Sequence, residues 1–298
     1  MWFKNLQLYR LPAPWDIPIE KMAEQLERML FQPCGSQDMQ SRGWVPPREG
    51  VLVHSVAGQW LVALRSEQKL LPSSVVNQFA QERAEEIEAQ QGYKPGRKQM
   101  KEIKEAVLQE LLPRAFARRR TTYVWIDTRN GWLAVDAPSS TKADEVLEAL
   151  IKTLDDFPIR LLKTQRSPAS AMTEWLVGEA PPGFTVDRDC ELRSAVEEKS
   201  AVRYVRHPLE GDEVRHHITE GKFPTRLALT WADRISFVLT EKLEIKKLGF
   251  LDVLQEEAES QAVTADEQFD ADFALMSAEL ARFLPDLVDA LGGEEEAP

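Results

Sequence analysis

Tyr123-Val124-Trp125-Ile126-Asp127 and Trp132-Leu133-Ala134-Val135 are two apolar runs, rich in β-branched and aromatic residues, joined across Asn130-Gly131. Such side chains fit a pleated, half-buried surface. Asn-Gly is the pair favoured in a type I′ turn, where both central residues need positive φ. The stretch predicts an antiparallel hairpin, and the chain on either side repeats the device. Val51–Val56 and Trp60–Arg65 flank Ala57-Gly58-Gln59 as a second hairpin, and Leu227–Trp231, Ile235–Leu239 and Leu243–Leu248 suggest a three-strand meander. Trp2–Arg10 alternates well enough for a first strand, and Ile159–Leu162 is strand-like.

Helices fall between these strands. Pro18 suits a first turn, with Ile19, Met22, Leu26, Met29 and Leu30 on the buried face. Leu71-Pro72-Ser73 opens a helix to about Ala89, and Gly92-Tyr93-Lys94-Pro95-Gly96 breaks it. A second helix, with Met100, Ile103, Val107, Leu108 and Leu111 inward, stops at Pro113, so the two should form a projecting antiparallel pair. Ser140 can cap a helix buried through Val146, Leu147, Leu150, Ile151 and Leu154. Phe269, Phe273, Met276, Leu280, Phe283, Leu287 and Leu291 make an amphipathic closing helix, stopped by Gly292-Gly293. Pro285 within it implies a kink, or two helices end to end. Hairpins without a sustained βαβ rhythm predict an α+β fold with mainly antiparallel sheets. The expected division is 1–70 with 113–165 as a central unit, 71–112 as the helix pair, 166–251 as a second α+β unit and 252–298 as an acidic helical segment.

Charge is segregated. Between 93 and 120 lie nine Lys/Arg (Lys94, Arg97, Lys98, Lys101, Lys104, Arg114, Arg118, Arg119, Arg120) against Glu102, Glu105 and Glu110, in a chain of net charge −12. Residues 252–298 hold 14 Asp/Glu and one Arg, so the first 251 are nearly neutral. An acidic balance therefore does not exclude a polyanion partner, and the basic stripe is the footprint such a partner requires. Arg97, Lys101 and Lys104 share one helical face and Lys94 and Lys98 another, followed by a loop of guanidiniums entering a strand. Phe116, between Arg114 and Arg118, either stacks on a base or belongs to a core or subunit contact. A merely solvated lysine face is the plain alternative.

Other chemistry is sparse. Cys34 and Cys190 are far apart, which suggests neither a disulfide framework nor a zinc knuckle and makes a reducing cytosol the expected compartment. No signal peptide or apolar span is evident. Gly92–Lys98 is one residue short of a phosphate loop and follows a helix rather than a strand. His207, His216 and His217 near Asp212 and Glu213 lack converging geometry, so no metal or cofactor is expected. Asp233 with Glu244-Ile245-Lys246 has the D…ExK layout of Mg²⁺-dependent nucleases, although the same residues also suit a turn and a solvated strand face. A third possibility is an interaction module acting through the acidic C-terminal helix.

Longer strings resemble a known family. Phe31-Gln32-Pro33-Cys34-Gly35-Ser36-Gln37-Asp38-Met39, Gly43-Trp44-Val45-Pro46-Pro47, Leu111-Leu112-Pro113-Arg114-Ala115-Phe116, Trp125-Ile126-Asp127-Thr128, Leu227-Ala228-Leu229-x-Trp231 and Phe269-Asp270-Ala271-Asp272-Phe273 look like the recombination-associated protein RdgC family. The resemblance runs from Trp2-Phe3-Lys4-Asn5-Leu6 to Gly292-Gly293-Glu294. It implies a non-enzymatic, sequence-independent binder of double-stranded DNA in the cytoplasm and nucleoid. It further implies that horseshoe subunits close into a ring-shaped homodimer with a basic central hole, restraining RecA-dependent recombination by occupying DNA. The resemblance makes Phe116 the important Phe after Pro-Arg-Ala. It also places a Lys-Gln pair of a finger-like loop, near 203–217, on Arg206-His207, where His replaces the amide and opens the position to pH dependence.

Overall fold

A computed structural model describes residues 1–48, 50–196, 200–251, 254 and 264–295. It contains seven helices among the described residues and two antiparallel sheets, an α+β fold. The first sheet uses β1 (Gln7–Arg10), β2 (Gln40–Val45), β3 (His54–Val56), β4 (Gln59–Leu70), β5 (Phe116–Asp127), β6 (Trp132–Val135) and β7 (Arg160–Leu161), in the order β2-β4-β5-β6-β1-β7 with β3 on β4. The second uses β8 (Phe184–Ser194), β9 (Ala201–Tyr204), β10 (Lys222–Trp231), β11 (Ile235–Thr240) and β12 (Ile245–Phe250), in the order β12-β11-β10-β8-β9. The helices are α1 (Ile19–Glu27), α2 (Ser73–Gln91), α3 (Arg97–Leu111), α4 (Ser140–Thr153), α5 (Pro168–Val177), α6 (Asp212–Thr219) and α7 (Ala265–Ala290).

The chain divides into two compact units. The larger comprises Met1–Gln25, Pro46–Val62 and Tyr123–Pro298, the smaller Leu26–Val45 and Ala63–Thr122. In the larger unit one face of the second sheet buries Leu227, Leu229, Trp231, Phe237 and Leu239 together with Phe273, Met276, Leu280, Phe283 and Leu287 of α7. The closing helix is thus a core element. Its carboxylates have partners close by. Arg48 meets Asp270 at 2.5 Å, Arg234 grips Glu279 with two contacts of 2.9 Å, and the Trp231 indole donates to Asp286 at 2.9 Å. Thr264 and Glu267 form a capping box. The preceding acidic residues at 252–253 and 255–263 lie outside the described residues.

The smaller unit holds the helix pair. Ala80 and Ala84 of α2 present flat ground to Ile103 and Val107 of α3, all four buried. Gly92 ends α2 at φ 80°, donating its N–H to Glu88 O at 2.8 Å, a left-handed position that other residues resist. At Gly43 of β2 a side chain would strike the Phe31 backbone at 2.4 Å, so glycine is what lets residues 30–31 pair alongside Trp44.

Several local expectations change: Leu30 and Ile151, expected on buried helix faces, are exposed, Leu30 because α1 already ends at Glu27. Asp127 pairs with Trp132, leaving a four-residue loop rather than a two-residue type I′ turn. The Asp127 carboxylate accepts the N–H groups of Arg129 and Asn130 at 3.0 Å, an Asx turn that keeps Asn130 out of positive φ and leaves only Gly131 there, at 69°. Ser139, not Ser140, is the N-cap of α4, and its side chain makes no capping bond. The guanidiniums after Pro113 lie on a strand rather than in a loop, since β5 starts at Phe116. Finally, α7 runs as a single assigned helix through Pro285.

Candidate nucleic-acid interface

The basic residues of 93–120 all belong to the smaller unit, whose second segment ends at Thr122. This unit carries 14 Lys/Arg against 10 Asp/Glu, a net of +4, so the rest of the chain carries −16. Burial of Ile103 and Val107 turns the opposite side of α3 to solvent, and Arg97, Lys98, Lys101 and Lys104 are all exposed there. Lys94 and Arg114 are exposed in the flanking turns. Lys101 has a weak, solvated partner in Glu105 at 3.7 Å.

The pleat of β5 separates the Arg triplet. Successive side chains on a strand face opposite ways, so Phe116, Arg118 and Arg120 share one side and Ala117, Arg119 and Thr121 the other. On the second side Arg119 is ion-paired with Glu67 of β4, whose side chain is only 4% exposed. Glu67 also accepts the Cys34 N–H at 2.7 Å. The Arg119 guanidinium, aided by the Cys34 amide, holds this carboxyl below the ordinary range. Phe31 lies under both Arg65 and Arg119, with ring-centre distances of 5.7 and 5.9 Å. Arg119 is a structural anchor in this arrangement.

The first side is left open. Phe116 is 84% exposed, the most exposed large apolar side chain among the described residues. Seven cations (Lys94, Arg97, Lys98, Lys104, Arg114, Arg118, Arg120) have no carboxylate within ion-pair distance among the described residues. Free cations can neutralise phosphates, and an exposed aromatic ring on the same stripe can offer a stacking surface.

Arg206 and His207 belong to the larger unit. They occupy the turn between β9 and α6, where Arg206 sits at φ 53° and donates its N–H to Asp189 at 2.8 Å. The His207 ring approaches Pro208 O at 2.7 Å and Glu213 at 3.3 Å. The segment 203–217 is therefore strand end, turn and helix.

The D…ExK residues do not converge. Asp233 lies in the turn before β11, where Ala232 and Asp233 take φ of 49° and 53°. Glu244 follows the turn at the other end of that strand, and six residues of strand span about 20 Å. Glu244 pairs with Lys246 at 2.8 Å and accepts from Gln7 at 3.3 Å. Among the described residues no three His, Cys, Asp or Glu side chains are grouped to hold a metal ion. His216 and His217 instead meet Glu220, at 3.4 and 3.7 Å. No described helix is long and apolar enough to cross a membrane.

Glu67, Cys34 and Phe31 were not legible as partners of the stripe. Glu67 is 52 residues from Arg119, and no local pattern marks the pairing.

Comparison with known proteins agrees along the chain. Residues 1–294 match the family model described as "Putative exonuclease, RdgC". The recombination-associated protein RdgC of Dechloromonas aromatica (strain RCB) is 65% identical over 300 residues, covering 99% of this chain and 98% of that relative. Those of Janthinobacterium sp. (strain Marseille) and Cupriavidus necator are 59% and 56% identical, with coverage of 99% or more on both sides. With matches of this length and identity, the chain belongs to the RdgC family of recombination-associated proteins.

Proposed function

We propose that the chain binds double-stranded DNA without sequence preference, as a homodimer encircling the duplex, and so restrains RecA-dependent recombination and influences replication-fork repair. The observation that carries this reading is the set of seven unpartnered cations of the stripe, of which Arg114, Arg118 and Arg120 are near the exposed Phe116 in sequence. In this reading Lys94, Arg97, Lys98, Lys101, Lys104, Arg114, Arg118 and Arg120 contact phosphates, as does Arg206 of the larger unit, with His207 beside it. Phe116 stacks or wedges. Arg119 acts mainly by ordering the strand. The encircling dimer, nucleoid association and the effect on RecA rest on family resemblance and add no catalytic step.

The test is affinity for a duplex of arbitrary sequence, on linear and closed-circular DNA. With 6–10 phosphates neutralised, affinity should fall about 10³–10⁵-fold between about 50 and 200 mM salt. A ring should slide off linear ends at high salt and remain on circles. The family description's word exonuclease is tested with end-labelled duplex and Mg²⁺, where the expected result is intact DNA. Shortening abolished by Glu244→Gln would instead support catalysis.

A further inference from the structure

In the smaller unit, strands β2, β4 and β5 present two faces, and residues 31–34 cover one of them. Arg119 of β5 meets Glu67 of β4, and Arg65 Nε lies 3.4 Å from Thr121 Oγ1, so these four side chains share a face. Ser41 of β2 lies directly opposite Glu67 and joins them. Its hydroxyl is buried, the Phe31 ring lies under Arg65 and Arg119, and the Cys34 N–H reaches Glu67.

Alternation puts Ser66, Gln68 and Leu70 of β4 on the other face, with Phe116, Arg118 and Arg120 of β5. Strand register adds Gln40, opposite Gln68, and Arg42, opposite Ser66. The Glu67–Arg119 and Arg65–Thr121 contacts fit a single antiparallel register, which sets Gln68 beside Arg118. Gln40, Gln68 and Arg118 thus form a row across three strands, about 10 Å long at the usual strand spacing. All three are exposed, while Arg42, Ser66 and Arg120 behind them are half-buried. No Asp or Glu occupies this face of the three strands. Among the described residues neither glutamine amide has a hydrogen-bond partner.

A primary amide both donates and accepts, and Gln is among the side chains that bond phosphate and sugar oxygens without reading sequence. Being uncharged, it neutralises no phosphate and releases no counterion. Such a contact adds affinity that salt does not screen in the way it screens the arginines.

We infer that this open face is part of the duplex-binding surface, with Gln40 and Gln68 hydrogen-bonding backbone oxygens of DNA beside the phosphate on Arg118. The inference rests on the duplex-binding reading and extends it from a charged stripe to a face spanning β2, β4 and β5.

Duplex titrations of the full-length protein at several salt concentrations test it. Gln40→Ala/Gln68→Ala should lower affinity about tenfold or more. The slope of log affinity against log salt should stay that of the parent, because no charge is lost. Gln81→Ala, at an exposed position of α2, is the control and should bind like the parent. Gln40→Lys puts an ammonium where the amide meets the backbone, so it should raise affinity and steepen the slope by about 0.9. That variant carries the test should the alanine pair melt early. Parent-like affinity in a folded alanine pair, an equal loss in Gln81→Ala, or a parent-like slope in Gln40→Lys overturns the inference and leaves binding by the stripe standing. A parent protein that binds no duplex overturns both.

Discussion

Arg119 of β5 is ion-paired with Glu67 of β4, a carboxylate almost removed from solvent, while its neighbours Arg118 and Arg120 face the other side of the strand unpaired. Three consecutive arginines therefore have two different environments. Arg119→Ala leaves a buried carboxylate without its cation, so the melting temperature should fall clearly. Arg118→Ala and Arg120→Ala should leave melting almost unchanged and lower duplex affinity to a similar degree on unrelated sequences. Parallel melting and binding measurements on the three variants check this.

The same pair has a pH signature. Glu67 has its folded pKa depressed, first by the Arg119 hydrogen bond and then by the Cys34 amide. Its contribution is fully present above the unfolded carboxyl pKa and is lost as pH falls through the lower folded value. The melting gap between the parent protein and Arg119→Ala should be full at neutral pH and close in acid. Thermal melts of both across that range decide it; a gap independent of pH would deny Glu67 the role.

Phe116→Ala removes an apolar surface that nothing in its unit covers. Its effect on stability should stay within about 0.5 kcal/mol, as for surface positions generally. Loss of base stacking should cost roughly 1–3 kcal/mol of DNA affinity. Chemical denaturation and a binding titration, run side by side, separate the two effects.

Asp233 and Glu244 sit at opposite ends of β11 and cannot share one Mg²⁺. Asp233→Asn should therefore change neither DNA binding nor the integrity of DNA incubated with Mg²⁺. Glu244→Gln removes the partner of Lys246 and should lower the melting temperature instead. Gel analysis of labelled duplex with both variants checks the first claim, and melting the second.

Much of this was legible in the sequence where structure is local. The helix pair followed from Pro72, Gly92, Gly96 and the Ile103/Val107 spacing, and the meander from alternation along 227–248. Strands β2 and β8 were missed because Arg42 and Arg188 fall on the parity of their buried residues, and β9 because four residues with only Val202 and Tyr204 inward make too short a pattern. Turn chemistry was misplaced for a definite reason. Asn130-Gly131 carried the type I′ signal, yet the Asp127 carboxylate captured the loop, while Ala232-Asp233, with no glycine, took both positive φ values. The stripe was visible as composition. Its division into Arg119 and the rest depended on Glu67, which lies 52 residues away on another strand.

The most direct test of the stripe as the DNA-binding surface is the slope of log affinity against log salt for one duplex, compared between the parent protein and Arg118→Ala/Arg120→Ala. Each lost phosphate contact should reduce the slope by about 0.9, so the double variant should fall by nearly two. A slope unchanged by the double substitution would contradict the account and place the phosphate contacts elsewhere.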